Sequence, residues 1–137
     1  MLDHISIQVA DPAKSAEFYT AALNALGVRE AMRHERDGGL VIGLCGPDGF
    51  PHFWLGPVGG GECDVHSERE VHIAFSAADR QTVNDAHRAA VATGTEILHG
   101  PRVWPEYHPG YYAVFFRDLD GNNVEVVHHT FSAQTAP

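Results

Sequence analysis

Three side chains able to bind a metal stand in separate strand-like runs. His4 opens the run His4-Ile5-Ser6-Ile7-Gln8-Val9-Ala10-Asp11, and His72 opens His72-Ile73-Ala74-Phe75-Ser76-Ala77-Ala78-Asp79. Glu125 stands between Val124 and Val126 in the apolar run from Asn123 to His128. The two histidine runs follow one plan at a shift of 72 − 4 = 68 positions. Each begins at an imidazole, alternates in polarity and ends at an Asp that opens a helix. Successive side chains of a strand point to opposite faces. His4 therefore points away from Ile5 and Ile7, His72 away from Ile73 and Phe75, and Glu125 away from its valines. A duplicated chain gathers equivalent residues about its symmetry axis, which predicts that His4, His72 and Glu125 meet around one divalent ion. Two imidazoles and a carboxylate accept iron, manganese, nickel, cobalt or zinc. Three protein donors leave positions open to water and substrate, as catalytic rather than structural sites do.

A second tier of candidates is aromatic or basic. In Phe50-Pro51-His52-Phe53-Trp54-Leu55-Gly56, His52 and Trp54 share one strand face and Phe53 and Leu55 the other. In the loop Val103 to Tyr112, the rings of Trp104, Tyr107, His108 and Tyr111 could line an aromatic pocket, with Tyr107 or His108 offering a proton or a hydrogen bond. The same rings could instead plug the open end of the fold or an interface.

The elements that must position these residues are readable from periodicity and punctuation. Asp11 and Pro12 start a helix as N-cap and first residue. Phe18, Ala22 and Leu26 give it an apolar stripe, and Gly27 closes it. Phe18 and Tyr19 belong to core packing. Residues 29–36 are an edge strand or loop, 40–44 a buried strand, and Phe50 to Gly56 another, with turns at Asp37-Gly38-Gly39 and Gly46-Pro47-Asp48-Gly49. Pro57 to Glu62, with Gly59-Gly60-Gly61, is the candidate boundary between two halves. The second half repeats the order: a strand from Val71, a helix opened by Asp79 and closed near Gly94, a short strand at residues 95–98, a loop at residues 100–110, and strands at residues 111–116 and 123–128. Asp118-Leu119-Asp120-Gly121-Asn122 is a turn. The tail from Thr130 is loose. Each half reads strand, helix, three strands. Two such halves make an α+β fold: one curved sheet, helices on its outer face and a cleft on its inner face.

The bulk numbers narrow the partners. At 137 residues, with 44% hydrophobic and 20% charged residues, the chain is expected to be a single domain, residues 1–137, with half-modules at about 1–60 and 68–130. A formal net charge of −9 argues against nucleic acid and against anionic membrane surfaces. Cys45 and Cys63 form no zinc or disulfide pattern, which fits two reduced thiols in a cytoplasmic protein. No signal segment or membrane span is read from the sequence.

These stretches resemble the vicinal oxygen chelate superfamily, also called the glyoxalase/bleomycin-resistance/extradiol-dioxygenase superfamily. The resemblance runs from Leu2 to about His128. It is carried by His4-Ile-Ser-Ile-Gln-Val-Ala-Asp, by Phe18-Tyr19 with Leu23 and Gly27, by Val71-His72-Ile73-Ala74-Phe75, and by Arg117-Asp118-Leu119-Asp120-Gly121-Asn122-Asn123-Val124-Glu125. It implies paired βαβββ modules forming an open barrel, often supported by a homodimer, with metal ligands at His4, His72 and Glu125. It also implies a small-molecule substrate that chelates the metal through two adjacent oxygens. One position departs from the glyoxalase I pattern. Where those enzymes have a carboxylate ligand, this chain has Trp54, which can neither ligate nor take a proton. His52, one step along the same face, is the alternative base or extra ligand, or else a rim histidine.

Two function classes follow. One is a metal-dependent lyase, isomerase, thiol transferase or dioxygenase, with His52, Tyr107 and His108 as catalytic candidates and Trp54, Trp104 and Tyr111 contacting substrate. The other is a metal-free protein that sequesters a drug or metabolite, as bleomycin-resistance members do. A purely structural or partner-binding domain ranks below both, because polar residues on the inner face of three strands serve it poorly.

Overall fold

The computed structural model describes residues 1–36, 38–58 and 70–131. The expected boundary at Gly59-Gly60-Gly61, Cys63, Asp37 of the first turn and the tail beyond Phe131 lie outside the described residues. Among the described residues, strands and α-helices run twice through the same order: β1 (Ile5–Val9), α1 (Pro12–Ala22), β2 (Arg29–Arg36), β3 (Gly39–Cys45) and β4 (Pro51–Pro57), then β5 (His72–Ser76), α2 (Arg80–Thr93), β6 (Ile97–Val103), β7 (Tyr111–Arg117) and β8 (Asn123–His129).

Local chemistry explains the helix ends. The Asp11 carboxylate accepts from the Lys14 amide at 3.1 Å, and Asp79 accepts from Thr82 at 2.7 Å. Both are side-chain caps of otherwise orphaned N–H groups. Gly94 closes α2 at φ 80°, in the left-handed region that glycine tolerates. The first helix departs from expectation. It stops at Ala22, and residues Asn24–Leu26 tighten into a 3-10 turn before Gly27 at φ 74°.

Each half forms its own four-stranded sheet, in the orders β1-β4-β3-β2 and β5-β8-β7-β6. The first strand of each half runs parallel to the last, and the remaining neighbours are antiparallel. The expected helices-outside α+β arrangement of two βαβββ modules is present, and it does not close into a barrel. The sheet does differ from expectation: among the described residues no ladder joins the two sheets into one. The second half also builds a longer second strand than its sequence announces. β6 runs to Val103 with register shifts at Ile97/His99 and His99/Arg102. Bulges on an edge strand accommodate Gly100 and Pro101, whose residue type cannot serve a central ladder.

The halves are joined by packing. One apolar cluster takes Ile7, Val9, Phe18, Tyr19, Ile42 and Leu55 from the first half together with Ile73, Val83, Ala86, Val114, Phe116 and Val126 from the second. α1 and α2 lie against each other in it. A polar tie reinforces it. The Tyr19 hydroxyl donates to Asp118 at 2.6 Å, the Ala10 amide donates to Asp120 at 2.8 Å, and Asp118 also accepts from the Asp120 and Asn122 amides within its own turn. The Asp118–Asn122 turn thus shapes itself and clasps the first helix. Burial and the adjacent Asp118 push the Tyr19 phenol far up, so it remains a donor. With both helices on one side, the opposite face of the second sheet carries a smaller buried cluster of Trp104, Ala113, Phe115 and Val127.

Candidate metal and substrate site

Strand parity decides what the face of the second sheet turned away from the helices carries. Val124 and Val126 of β8 are fully buried in the core. Glu125, between them, turns to the other side. Across the β5–β8 pair, His72 is the register partner of Asn123, and Ala74 that of Glu125. This places His72 Nε2 2.9 Å from Glu125 Oε2. The second oxygen, Oε1, accepts from the Tyr111 hydroxyl. Glu125 is only 2% exposed, whereas half of the His72 side chain meets solvent. Burial, and then the Glu125 carboxylate, push the Tyr111 phenol up, so it stays protonated and donating.

The wall beside this pair is aromatic. Trp104 is buried, its indole N–H reaching the Ala113 carbonyl at 3.3 Å. It meets Phe115 edge-on at 5.0 Å and His99 at 5.0 Å, and stacks with Tyr107 at 5.9 Å. The Arg102 guanidinium lies 3.4 Å over its ring, a cation–π contact. Tyr111 is packed against Tyr107, His108 and His129.

The first sheet offers a different surface at the same register position. Ser6 pairs with Trp54 as Ala74 pairs with Glu125. Trp54 lies flat on the sheet because Gly43 leaves room, a Cβ there coming within 3.0 Å of the ring. Trp54 donates to the Pro51 carbonyl and stacks with His34. A cavity of about 350 Å³ on this face is lined by Asp3, His4, Ser6, Val41, Phe50 and Trp54. A second, of about 380 Å³, runs between the starts of β1 and β5 and is lined by His4, His52 and His72 with Ile5, Phe53 and Phe75.

His4 itself is exposed and contacts its neighbour Asp3, Nδ1 to Oδ1, at 2.6 Å. Among the described residues, no three His, Cys, Asp or Glu side chains gather closely enough to hold an ion. The fold therefore brings His72 and Glu125 together and leaves His4 outside their contact within one chain. The two that meet have suitable chemistry. Their 2.9 Å contact is a hydrogen bond, and imidazole nitrogen and carboxylate oxygen are both donors that first-row divalent ions accept. Asn123, on the same strand face as Glu125 by parity, keeps a buried Oδ1 without a hydrogen-bond partner. His72 and Glu125 thus fit two positions of a divalent-ion site, and among the described residues no third His, Cys, Asp or Glu joins them.

His52 occupies a clamp. Its Nδ1 faces the Asp3 carbonyl and its Nε2 faces Asp48 Oδ2, each at 2.7 Å. Both partners accept only, so both ring nitrogens donate and the ring is an imidazolium. The Asp3 carbonyl and then Asp48 hold its pKa above the ordinary histidine value. While both contacts hold, neither ring nitrogen is free to take a proton or bind an ion. On the aromatic loop, His108 Nδ1 accepts from the Gly110 amide at 3.1 Å, so the neutral ring carries its proton on Nε2 and donates to His129 Nδ1 at 2.9 Å.

The sequence reading singled out Tyr111 as a pocket ring but missed its bond to Glu125, and missed His99, Phe115, Asn123 and His129. A signal existed. Counting outward from the Asp118–Asn122 turn pairs Phe115 with Glu125 and Tyr111 with His129 on one face, as the β7–β8 register shows. The pairing puts Tyr111 on the same face as Glu125 but four positions from it along the strand, so the phenol–carboxylate bond itself was not readable from register.

A sequence profile described as Glyoxalase/Bleomycin resistance protein/Dioxygenase superfamily matches residues 1–126. No curated protein matches the sequence. Among solved structures, a glyoxalase/bleomycin resistance protein from Albidiferax ferrireducens T118 is 22% identical with a TM-score of 0.71, over 92% of this chain and 97% of that one. A glyoxylase/bleomycin resistance protein/dioxygenase domain from Frankia sp. EAN1pec is 20% identical with a TM-score of 0.73, over 95% and 98%. TioX from Micromonospora sp. ML1 is 16% identical with a TM-score of 0.66, over 96% and 98%. At these identities the likeness is one of fold.

Proposed function

Because this chain belongs to the Glyoxalase/Bleomycin resistance protein/Dioxygenase superfamily, we propose that it is a metal-dependent enzyme acting on a small molecule that offers two adjacent oxygens. The observation that carries the reading is the His72–Glu125 contact, which joins a buried carboxylate to a half-exposed imidazole that lines a cavity. His72 and Glu125 hold a divalent ion, iron, manganese, nickel, cobalt or zinc, and His4 of a second copy of the chain completes the set. His4 suits that role because it is exposed and engaged only with its neighbour Asp3. When bound, the ion supplies Lewis-acid stabilisation of negative charge developing on the substrate oxygens.

The chain's own residues bind and orient. Trp104, Phe115 and Tyr107 form an aromatic cluster beside the pair, and Trp54 forms an apolar wall at the equivalent place on the first sheet. Such walls suit the non-chelating part of the substrate and exclude water from it. Trp54 brings no carboxylate to the position, so proton transfer falls to other groups. His108 and Tyr107 are the candidates there, while His52 holds the Asp3 carbonyl just ahead of β1. The same reading makes the protein a cytoplasmic homodimer. Among the described residues no helix is long and apolar enough to cross a membrane.

Elemental analysis of protein purified without added metal or chelator tests the reading. About one ion per chain in the wild type, lost in Glu125→Ala, is the expected result. Equal, negligible metal in both overturns it. One observation favours a second reading, a metal-free binder of drugs or metabolites: the aromatic walls are complete in a single chain while the donor set is not. Ligand quenching of Trp fluorescence that excess chelator leaves unchanged, without turnover, selects that reading.

A further inference from the structure

We propose that Tyr111 is a positioning residue that restricts Glu125 to binding the ion through Oε2 alone. The inference rests on the metal-site reading above and adds to it how one ligand is aimed. A carboxylate has two oxygens and can take one or two positions on an ion. In this fold the choice is constrained, because the Tyr111 hydroxyl donates to Oε1 while Oε2 faces His72 Nε2 at 2.9 Å. Bidentate binding would require Oε1 to exchange the phenol for the ion inside a nearly closed environment, since Glu125 is 2% exposed. A single-oxygen ligand leaves one more position for a substrate that must bring two oxygens of its own.

The phenol can act as a fixed stop because its ring is held. Tyr107, His108 and His129 pack around it with centroids at 4.9, 5.5 and 4.9 Å. The cage is itself tied down. His108 donates to His129, the Gly110 amide donates to His108, and the Thr130 amide donates to the Gly110 carbonyl at 2.9 Å. The loop and the end of β8 therefore move as one with the ring. Tyr107 and His108 gain a role here that demands no proton transfer: they aim Tyr111, and Tyr111 aims Glu125.

The experiment compares Tyr111→Phe with the wild type and with Tyr112→Phe, whose hydroxyl donates to Asn84 on α2 at 2.8 Å. Zn²⁺ affinity is measured by competition with a chromophoric chelator, and Co²⁺ coordination by its visible absorption. Tyr111→Phe should weaken Zn²⁺ binding about 10- to 100-fold, the usual effect of removing a group that holds a ligand in place. Its Co²⁺ bands should lose intensity as Glu125 turns bidentate and the coordination number rises. Tyr112→Phe should change neither. A metal-free arm covers the contact itself. The loss in Tm caused by Tyr111→Phe should vanish in a Glu125→Ala background, which has no oxygen to accept from the phenol. Unchanged affinity and spectrum in Tyr111→Phe, or fully additive Tm losses, overturn the positioning role and leave the metal site standing. A wild type that takes up no more Zn²⁺ or Co²⁺ than Glu125→Ala overturns both.

Discussion

A histidine is defined by what its two nitrogens face, and the histidines of this chain divide on that criterion. His72 offers Nε2 to a buried carboxylate beside an open cavity. His52 spends both nitrogens on acceptors and serves as a cationic clamp between Asp3 and Asp48. The clamp makes stability depend on pH with a definite sign. His52 is raised in the folded chain, so its contribution is complete below the ordinary histidine value of about 6.5 and is lost as pH rises through the folded value. Asp48 is lowered, chiefly by its bond to His52, so its contribution is complete above the ordinary value of 3.8 and is lost as pH falls through the folded value. Thermal melts of wild type and His52→Gln should differ most at about pH 5–6 and converge above about pH 8. A constant difference across that range would mean that the ring is held as a neutral group.

At the scale of elements, the aromatic loop between β6 and β7 depends on one close approach. The Gly110 backbone passes Thr130 so closely that an added Cβ would lie 1.8 Å from the Thr130 oxygen. Gly110→Ala must therefore displace the loop from the end of β8, at a cost of about 1–3 kcal/mol. Denaturant unfolding gives the total. Hydrogen exchange at the Thr130 amide, which donates to the Gly110 carbonyl, should accelerate selectively. Uniform acceleration across both sheets would place the damage in the core and not in the loop.

The whole molecule is two similar halves held by one core and one polar clasp. Tyr19 lies in the first half and its partner Asp118 in the second, 99 positions away. Tyr19→Phe keeps the ring in the core and removes only the donor. Asp118 retains its bonds from Asn122 and Asp120, so the expected loss sits near the lower end of about 1–3 kcal/mol. Calorimetry checks it, together with the expectation of a single unfolding transition, since Ile7 and Val126 belong to one cluster. The proposed pairing of copies makes a second prediction at this scale. Mixed after co-refolding, His4→Ala and Glu125→Ala chains should recover about a quarter of wild-type metal, because half of randomly formed dimers are mixed and each holds one intact site. No recovery from two variants that are each metal-free would mean that the site is not shared between copies.

Much of this was legible along the chain because it is decided within a few residues. Alternation at Ile5–Val9 and Asn123–His129 sets which face each side chain takes, and Asp11, Asp79, Gly27 and Gly94 mark helix ends through bonds to their own neighbours. Periodicity and capping are short-range, so the order of elements, the two-module plan and the inward faces of His72 and Glu125 were available to inspection. Tertiary structure alone decided what those faces meet. The second half has three more residues than the first between the positions that Trp54 and Glu125 occupy, so only strand pairing shows them to be equivalent. Only packing separates His4 from the His72–Glu125 contact in one chain, sets Tyr111 against Glu125 and draws Tyr19 to Asp118. Those contacts join residues far apart in sequence, and their geometry comes from how helices and sheets fill one core, which no local pattern encodes.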